Sequence, residues 1–140
     1  MDNEIKLQVG VKSLLMNKDG KYLLLRRSLQ KYPEISGRWD IVGGRIDNGV
    51  TLLENLKREI KEETNLELIG EPKLVAAQDI LRKKGFHVVR LTYIGNVDGE
   101  IILDEEENDK YKWCSREEVL NTDDMDMYFR ELLDKKDLII

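Results

Sequence analysis

The chain has 140 residues, 41% hydrophobic and 36% charged, with a formal net charge of −5. That length suits one domain, residues 1–140, with a real core, and the acidity argues against a nucleic-acid polymer as main partner, because such binders usually present a basic patch. No apolar run approaches the roughly 18 residues of a membrane span, the start Met1-Asp2-Asn3-Glu4 lacks the basic and apolar regions of a secretory leader, and the single cysteine, Cys114, excludes an internal disulfide and fits a reducing cytoplasm.

Residues 7–16 are apolar-rich and end at Asn17-Lys18-Asp19-Gly20, a turn signal that leads into a second strand over 21–26. The pair reads as a hairpin. Residues 28–37 contain Tyr32-Pro33 and read as a loop, and 39–42 as a short buried strand running into Gly43-Gly44. A helix begins after Thr51, where Thr51-x-x-Glu54 has the capping-box spacing. It ends at Asn65, a residue that tolerates the left-handed conformation of a helix C-terminus. Residues 73–81 and 87–94 flank Lys83-Lys84-Gly85 as a second hairpin. Further short strands are expected at 100–103 and 111–114. A second capping box, Ser115-x-x-Glu118, opens a short helix to Leu120, and 126–135 form a last helix. Mixed strands with a few helices indicate an α/β or α+β sandwich.

The helix after Thr51 carries the most informative residues. At about 100° per residue, Leu52, Leu53, Leu56 and Ile60 form one core-facing stripe. Glu59 and Glu63 are one turn apart on its edge, and Glu62 lies one step further round. Glu54, Lys57 and Lys61 occupy the solvated side. Three carboxylates crowded at the rim of a core repel one another unless a cation sits among them. Oxygen ligands of this kind suit Mg²⁺ or Mn²⁺. The adjoining Gly43-Gly44 turn permits close backbone approach to a ligand. A solvated Glu/Lys/Arg face is the plain alternative for such a helix taken alone.

The run Gly44, five residues, Val50, seven residues, then Arg58-Glu59-Ile60-Lys61-Glu62-Glu63-Thr64-Asn65-Leu66 resembles the Nudix box. That family's pattern is Gly-x5-Glu-x7-Arg-Glu-apolar-x-Glu-Glu-x-Gly-apolar, and its members cleave phosphoanhydrides of nucleoside diphosphate derivatives. The resemblance implies an α/β/α sandwich with a mixed sheet between helices. It implies that Glu59, Glu62, Glu63 and the Gly43 carbonyl ligate Mg²⁺ or Mn²⁺, and that Arg58 orients the glutamates. Two positions depart from the pattern: Val50 replaces a glutamate and Asn65 a glycine. Asn65 is a mild change. Val50 removes a carboxylate and leaves Arg58 with two candidate partners, Glu54 and Asp47.

Outside the box, the acidic run 104–109 precedes Trp113. By similarity to MutT-type members, Glu107, with Glu106 as the alternative, completes the metal site or acts as base. Arg27 is the candidate for substrate phosphate and Trp39 for a base pocket, whereas Ile41 reads as core. His87, the sole histidine, reads as structural, Tyr128 and Phe129 as anchors of the last helix, and Cys114 as a small core residue. The proline and tyrosine that ADP-ribose and diadenosine polyphosphate hydrolases of the family tend to carry after the box are missing near Leu81. A MutT-type reaction is therefore expected, a (d)NTP or modified NTP giving nucleoside monophosphate and pyrophosphate. A nucleotide-sugar hydrolase and a non-catalytic nucleotide-binding domain are the alternatives. The expected partner is a small nucleotide; no membrane is expected, and a homodimer is compatible with the composition.

Overall fold

A computed structural model describes residues 4–136, 138 and 140. The first hairpin joins β1 (Lys6–Met16) to β2 (Tyr22–Arg27), with Met16 opposite Tyr22. Its turn is held by the Asn17 side chain, which accepts the N–H groups of Asp19 and Lys21 at 3.0 Å, and by Gly20 at φ +75°.

The run 39–42 is not one strand. It breaks at Ile41 into β3 (Trp39–Asp40), which pairs with β2, and β4 (Val42–Arg45), which pairs antiparallel with β1. The chain thus changes partner just before the two glycines. α1 (Leu52–Thr64) starts where the Thr51 hydroxyl accepts the Glu54 N–H and stops at Asn65, whose φ of 66° is left-handed and whose N–H closes onto Lys61 O. β5 (Glu67–Ile80) and β6 (Phe86–Asp98) form the second hairpin, longer than expected at its open end and bulged between Ile69 and Ala76. β7 (Asn108–Cys114) pairs with β2; α2 (Arg116–Leu120) follows a complete Ser115–Glu118 capping box, and α3 (Met127–Asp134) is capped by Asp126.

The sheet is mixed. β6 lies parallel to β1 from Lys6↔Phe86 to Met16↔Asn96, and the main strand order is β3-β2-β1-β6-β5. Alternate residues of β1 and β2 pack on opposite faces. Val11, Leu15, Leu23 and Leu25 meet Leu56 and Ile60 of α1. Leu14 and Leu24 meet Val119, Phe129 and Leu132 on the other side. Both faces of β1 are covered, which is why it reads as a near-continuous apolar run.

The expected strand at 100–103 does not form. The chain there crosses the end of α1, with Ile102 N–H donating to Thr64 O at 3.0 Å and Asn65 Nδ2 to Glu100 O at 3.2 Å. Ile101 and Leu103 cover the core beneath α1, so their apolar character serves packing without a ladder. Among the described residues no helix is long and apolar enough to cross a membrane. The leader expectation drawn from Met1, Asp2 and Asn3 lies outside the described residues.

Candidate active site

The two glycines of β4 have different reasons to be glycine. Gly43 sits at φ +148°, and a Cβ there would stand 2.0 Å from Val11 O. A Cβ on Gly44 would stand 2.9 Å from Glu59 Oε1, so its absence lets the Glu59 carboxylate lie against the strand. The Gly43 N–H donates to Glu63 Oε2 at 3.1 Å. The strand–helix loop is braced by Asn55, which is fully buried on α1: its Oδ1 accepts the Asp47 N–H at 3.1 Å and its Nδ2 donates to Arg45 O at 3.3 Å.

Arg58 pairs with Asp47, not Glu54. Its Nη2 also donates to Asn55 Oδ1 at 3.0 Å and Glu59 Oε1 at 3.3 Å, and its Nε faces Glu62 at 3.9 Å. Asp47 therefore supplies the carboxylate that Val50 lacks, from the loop before the helix.

Glu59 and Glu63 are electrostatically stressed. Burial pushes Glu63 up to about 7, against the pull of Lys12 and with Glu59 adding to the rise. Burial likewise raises Glu59, partly offset by Arg58, while Glu62 adds repulsion. The side chain of Glu62 is the most open of the three, 61% exposed.

Opposite these carboxylates stands a cation group. Lys12 is buried in the middle of β1, donating to Asp40 Oδ2 at 3.0 Å and Ile41 O at 3.3 Å. Arg27 Nη2 donates to the same Asp40 oxygen at 3.0 Å. Burial lowers the Lys12 ammonium, with Asp40 opposing, and burial would raise Asp40, yet Lys12, Arg27 and Arg90 hold it well below the ordinary carboxylate range. Arg90 in turn pairs with Asp126, the cap of α3, at 3.2 Å.

A cleft of about 630 Å³ joins these groups. Lys12, Arg27, Gly43, Glu59, Glu62, Glu63, Glu107 and Asn108 all line it. Asn108 Nδ2 reaches Glu63 Oε1 at 3.4 Å. Glu107 accepts from Tyr32 Oη at 2.7 Å and pairs with Lys31, both on the 28–37 loop. Burial favours its neutral form, but these two partners outweigh burial and hold it below its ordinary value. Glu106 is exposed and does not line the cleft.

Trp39 does not line the cleft either. Strand alternation turns Asp40 inward, while the Trp39 ring packs beside the α3-side core under Lys112, 4.5 Å away, and Arg26, 5.9 Å away. Ile41 is 4% exposed and belongs to that core while touching the cleft. Phe129 anchors α3, and Tyr128 is buried at its start beneath Arg82 and Arg90. His87 is paired with Asp79 at 2.7 Å. Cys114 is fully buried.

Lys12, Asp40 and Asn108, which line the cleft, and Asn55, which braces its loop, are candidate site residues that the sequence reading passes over. Lys12 and Asp40 are lone charges inside apolar strand runs, a pattern that signals a buried pair. Asn55 neighbours the helix stripe and carries the same kind of signal.

The donor chemistry fits a hard divalent cation. All candidate ligands are oxygens, and the carboxylates carry negative charge that the protein alone leaves poorly compensated. Among the described residues no three His, Cys, Asp or Glu side chains already converge as a ligand set. Glu63 turns instead to Gly43, and Glu59 and Glu62 turn to Arg58.

The NUDIX domain model matches residues 6–135. The chain is 29% identical over 113 residues to a CTP pyrophosphohydrolase of Escherichia coli K12, covering 80% of this chain and 79% of that protein. It is 28% identical to an RNA pyrophosphohydrolase of Bartonella bacilliformis, covering 77% of each. Among solved structures, the MutT protein of Methanosarcina mazei Go1 superposes with a TM-score of 0.79 at 26% identity, covering 97% of this chain and 96% of that one. A MutT NUDIX hydrolase of Burkholderia pseudomallei gives 0.75 at 25% identity, covering 92% and 97%. The box, the fold and these likenesses agree: the chain belongs to the NUDIX family and is a Nudix hydrolase whose structural neighbours are MutT proteins.

Proposed function

We propose that this hydrolase cleaves a phosphoanhydride of a nucleoside triphosphate, yielding the nucleoside monophosphate and pyrophosphate. The observation that carries the reading is the cleft in which Glu59, Glu62, Glu63 and Glu107 face Lys12 and Arg27. Such a site can hold polyphosphate and cation together. The pyrophosphohydrolase names of the two relatives support the same bond.

In this reading Glu59, Glu62, Glu63 and the Gly43 carbonyl hold Mg²⁺ or Mn²⁺, which would screen phosphate charge and lower the pKa of a bound water. Arg58, braced by Asp47 and Asn55, keeps Glu59 and Glu62 at the cleft. A carboxylate, Glu59 or Glu107, accepts the proton of the attacking water. The water oxygen forms a bond to one phosphorus as the in-line anhydride oxygen leaves. Charge grows on the non-bridging oxygens. Arg27 meets it with the N–H donors of its fork that Asp40 does not use. Asn108 steadies Glu63 from β7. We take residues 1–140 as a single hydrolase domain working in the cytoplasm, a reading supported by the family match over residues 6–135 and by the free thiol of Cys114.

A nucleotide panel with Mg²⁺, analysed for monophosphate and pyrophosphate, tests the proposal. A triphosphate is expected to give both products in equal amounts. Orthophosphate as the only product would refute the bond assignment. Tight nucleotide binding with no product at all would establish a binding module instead.

A further inference from the structure

The far rim of the cleft is built from cations that have no carboxylate partner among the described residues. Arg45, Lys83 and Lys6 surround the Phe86 ring at 5.7, 4.5 and 6.0 Å from its centroid, and Arg82 lies over Tyr128 at 5.6 Å. Arg45, Arg82, Lys83 and Phe86 all line the cleft. Elsewhere the arginines are consumed: Arg26, Arg27, Arg38, Arg58, Arg90 and Arg116 pair with carboxylates, and Arg130 donates to Leu120 O and Thr122 O. Among the described residues none of Lys6, Arg45, Arg82 and Lys83 forms an ion pair. A protein of net charge −5 has carboxylates to spare, yet among the described residues this rim receives none. Like charges gathered around one ring repel, and an anion relieves that repulsion.

Position says which anion. Gly43 lies opposite Lys12 and Phe86 opposite Lys6 on the same strand β1. That run of strand spans roughly 20 Å at about 3.3 Å per residue. A triphosphate chain held at Glu59 and Glu63 does not extend to Phe86. The turn carrying the rim is fixed, with Phe86 N–H donating to Lys83 O at 3.1 Å and Lys6 N–H to Gly85 O at 2.9 Å.

We propose that Arg45, Lys83 and Lys6 around Phe86 form a second phosphate subsite, which takes a phosphate carried on the 3′ side of the nucleoside, away from the scissile anhydride. The orientation rests on the triphosphate reading above. A 3′-phosphate belongs either to a free nucleotide or to the 5′-terminal residue of an oligonucleotide, whose backbone suits a cationic, aromatic surface.

The test compares three substrates by pyrophosphate release: a nucleoside 5′-triphosphate, its 3′-phosphate monoester, and the 5′-triphosphorylated dinucleotide. A 3′-phosphate is expected to raise kcat/KM by about tenfold or more, the scale of one charge-assisted contact. A gain confined to the dinucleotide identifies an oligonucleotide end; a gain with the monoester identifies the phosphate itself. In folded Arg45→Ala/Lys83→Ala protein the ratio should fall toward one. A wild-type ratio near one, or a ratio that survives the double substitution, overturns the proposal. Equilibrium binding of a nucleoside 3′,5′-bisphosphate against the 5′-monophosphate needs no turnover. The bisphosphate should bind about tenfold tighter to wild type alone. That comparison separates failure of the subsite from failure of the hydrolysis reading.

Discussion

Replacing Glu63 with glutamine is expected to abolish turnover while stabilising the metal-free protein at alkaline pH. Burial raises the Glu63 carboxyl to about 7 from an ordinary 4.5. The folded state therefore binds the proton more tightly than the unfolded chain does. Its favourable effect is complete below about pH 4.5 and is lost as pH rises through about 7. At about 1.4 kcal/mol per pH unit, ionised Glu63 destabilises the metal-free fold by at most roughly 3 kcal/mol above pH 8. Glutamine has no proton to lose, and its carbonyl oxygen can still accept the Gly43 N–H. Urea unfolding with a chelator present should show Glu63→Gln more stable than wild type by about 2–3 kcal/mol at pH 8.5 and nearly equal to it at about pH 4. Adding Mg²⁺ should stabilise wild type more than the variant at pH 8.5, by linkage. Equal pH dependence of the two proteins would refute the claim that Glu63 is a strained, cation-seeking carboxylate.

Other substitutions probe the scaffold. Gly43→Ala should cost at least about 3 kcal/mol in chemical unfolding, combining a positive φ with a Cβ aimed at Val11 O; a loss under 1 kcal/mol would contradict the glycine requirement. Asn55→Ala should cost about 2–3 kcal/mol, because Asp47 N–H and Arg45 O both lose their partner, and an unchanged urea midpoint would count against the brace. Asp47→Ala should lower kcat by releasing Arg58, and Val50→Glu added to it should recover activity; no effect of the first change would separate Arg58 from Asp47. Lys12→Met should cost about 3 kcal/mol by stripping a buried partner from Asp40, and Lys12→Met/Asp40→Leu should recover much of it. Additive losses in that pair would deny the coupling.

What the sequence makes legible is local. Thr51 and Asn65 delimit α1 within a residue because capping depends on neighbours in the chain. The same holds for Ser115 and for Asp126. The box glutamates and Gly43-Gly44 stand out as candidates because the family pattern is a pattern of local spacing. What stays hidden depends on residues distant in sequence. Lys12 looks like a lone charge in an apolar strand until Asp40 closes on it, 28 positions away. The parallel pairing of β1 with β6 joins segments 80 positions apart, which no local pattern encodes. Ile101 and Leu103 look like a strand because apolar residues that cover a helix end carry the same signature. Which side of β3 Trp39 presents depends on a break at Ile41 that no local pattern announces. Net charge hides most of all: an overall −5 conceals a carboxylate end and a cationic rim within one cleft.

The central claim is that the box glutamates hold the cation for phosphoanhydride cleavage. Glu62 tests it most cleanly, because its side chain is 61% exposed and its loss does not threaten the fold. Pyrophosphate release from a nucleoside triphosphate with Mg²⁺ should fall roughly 100-fold or more in Glu62→Gln, with the unfolding midpoint unchanged. Turnover within a factor of about two of wild type would contradict the account.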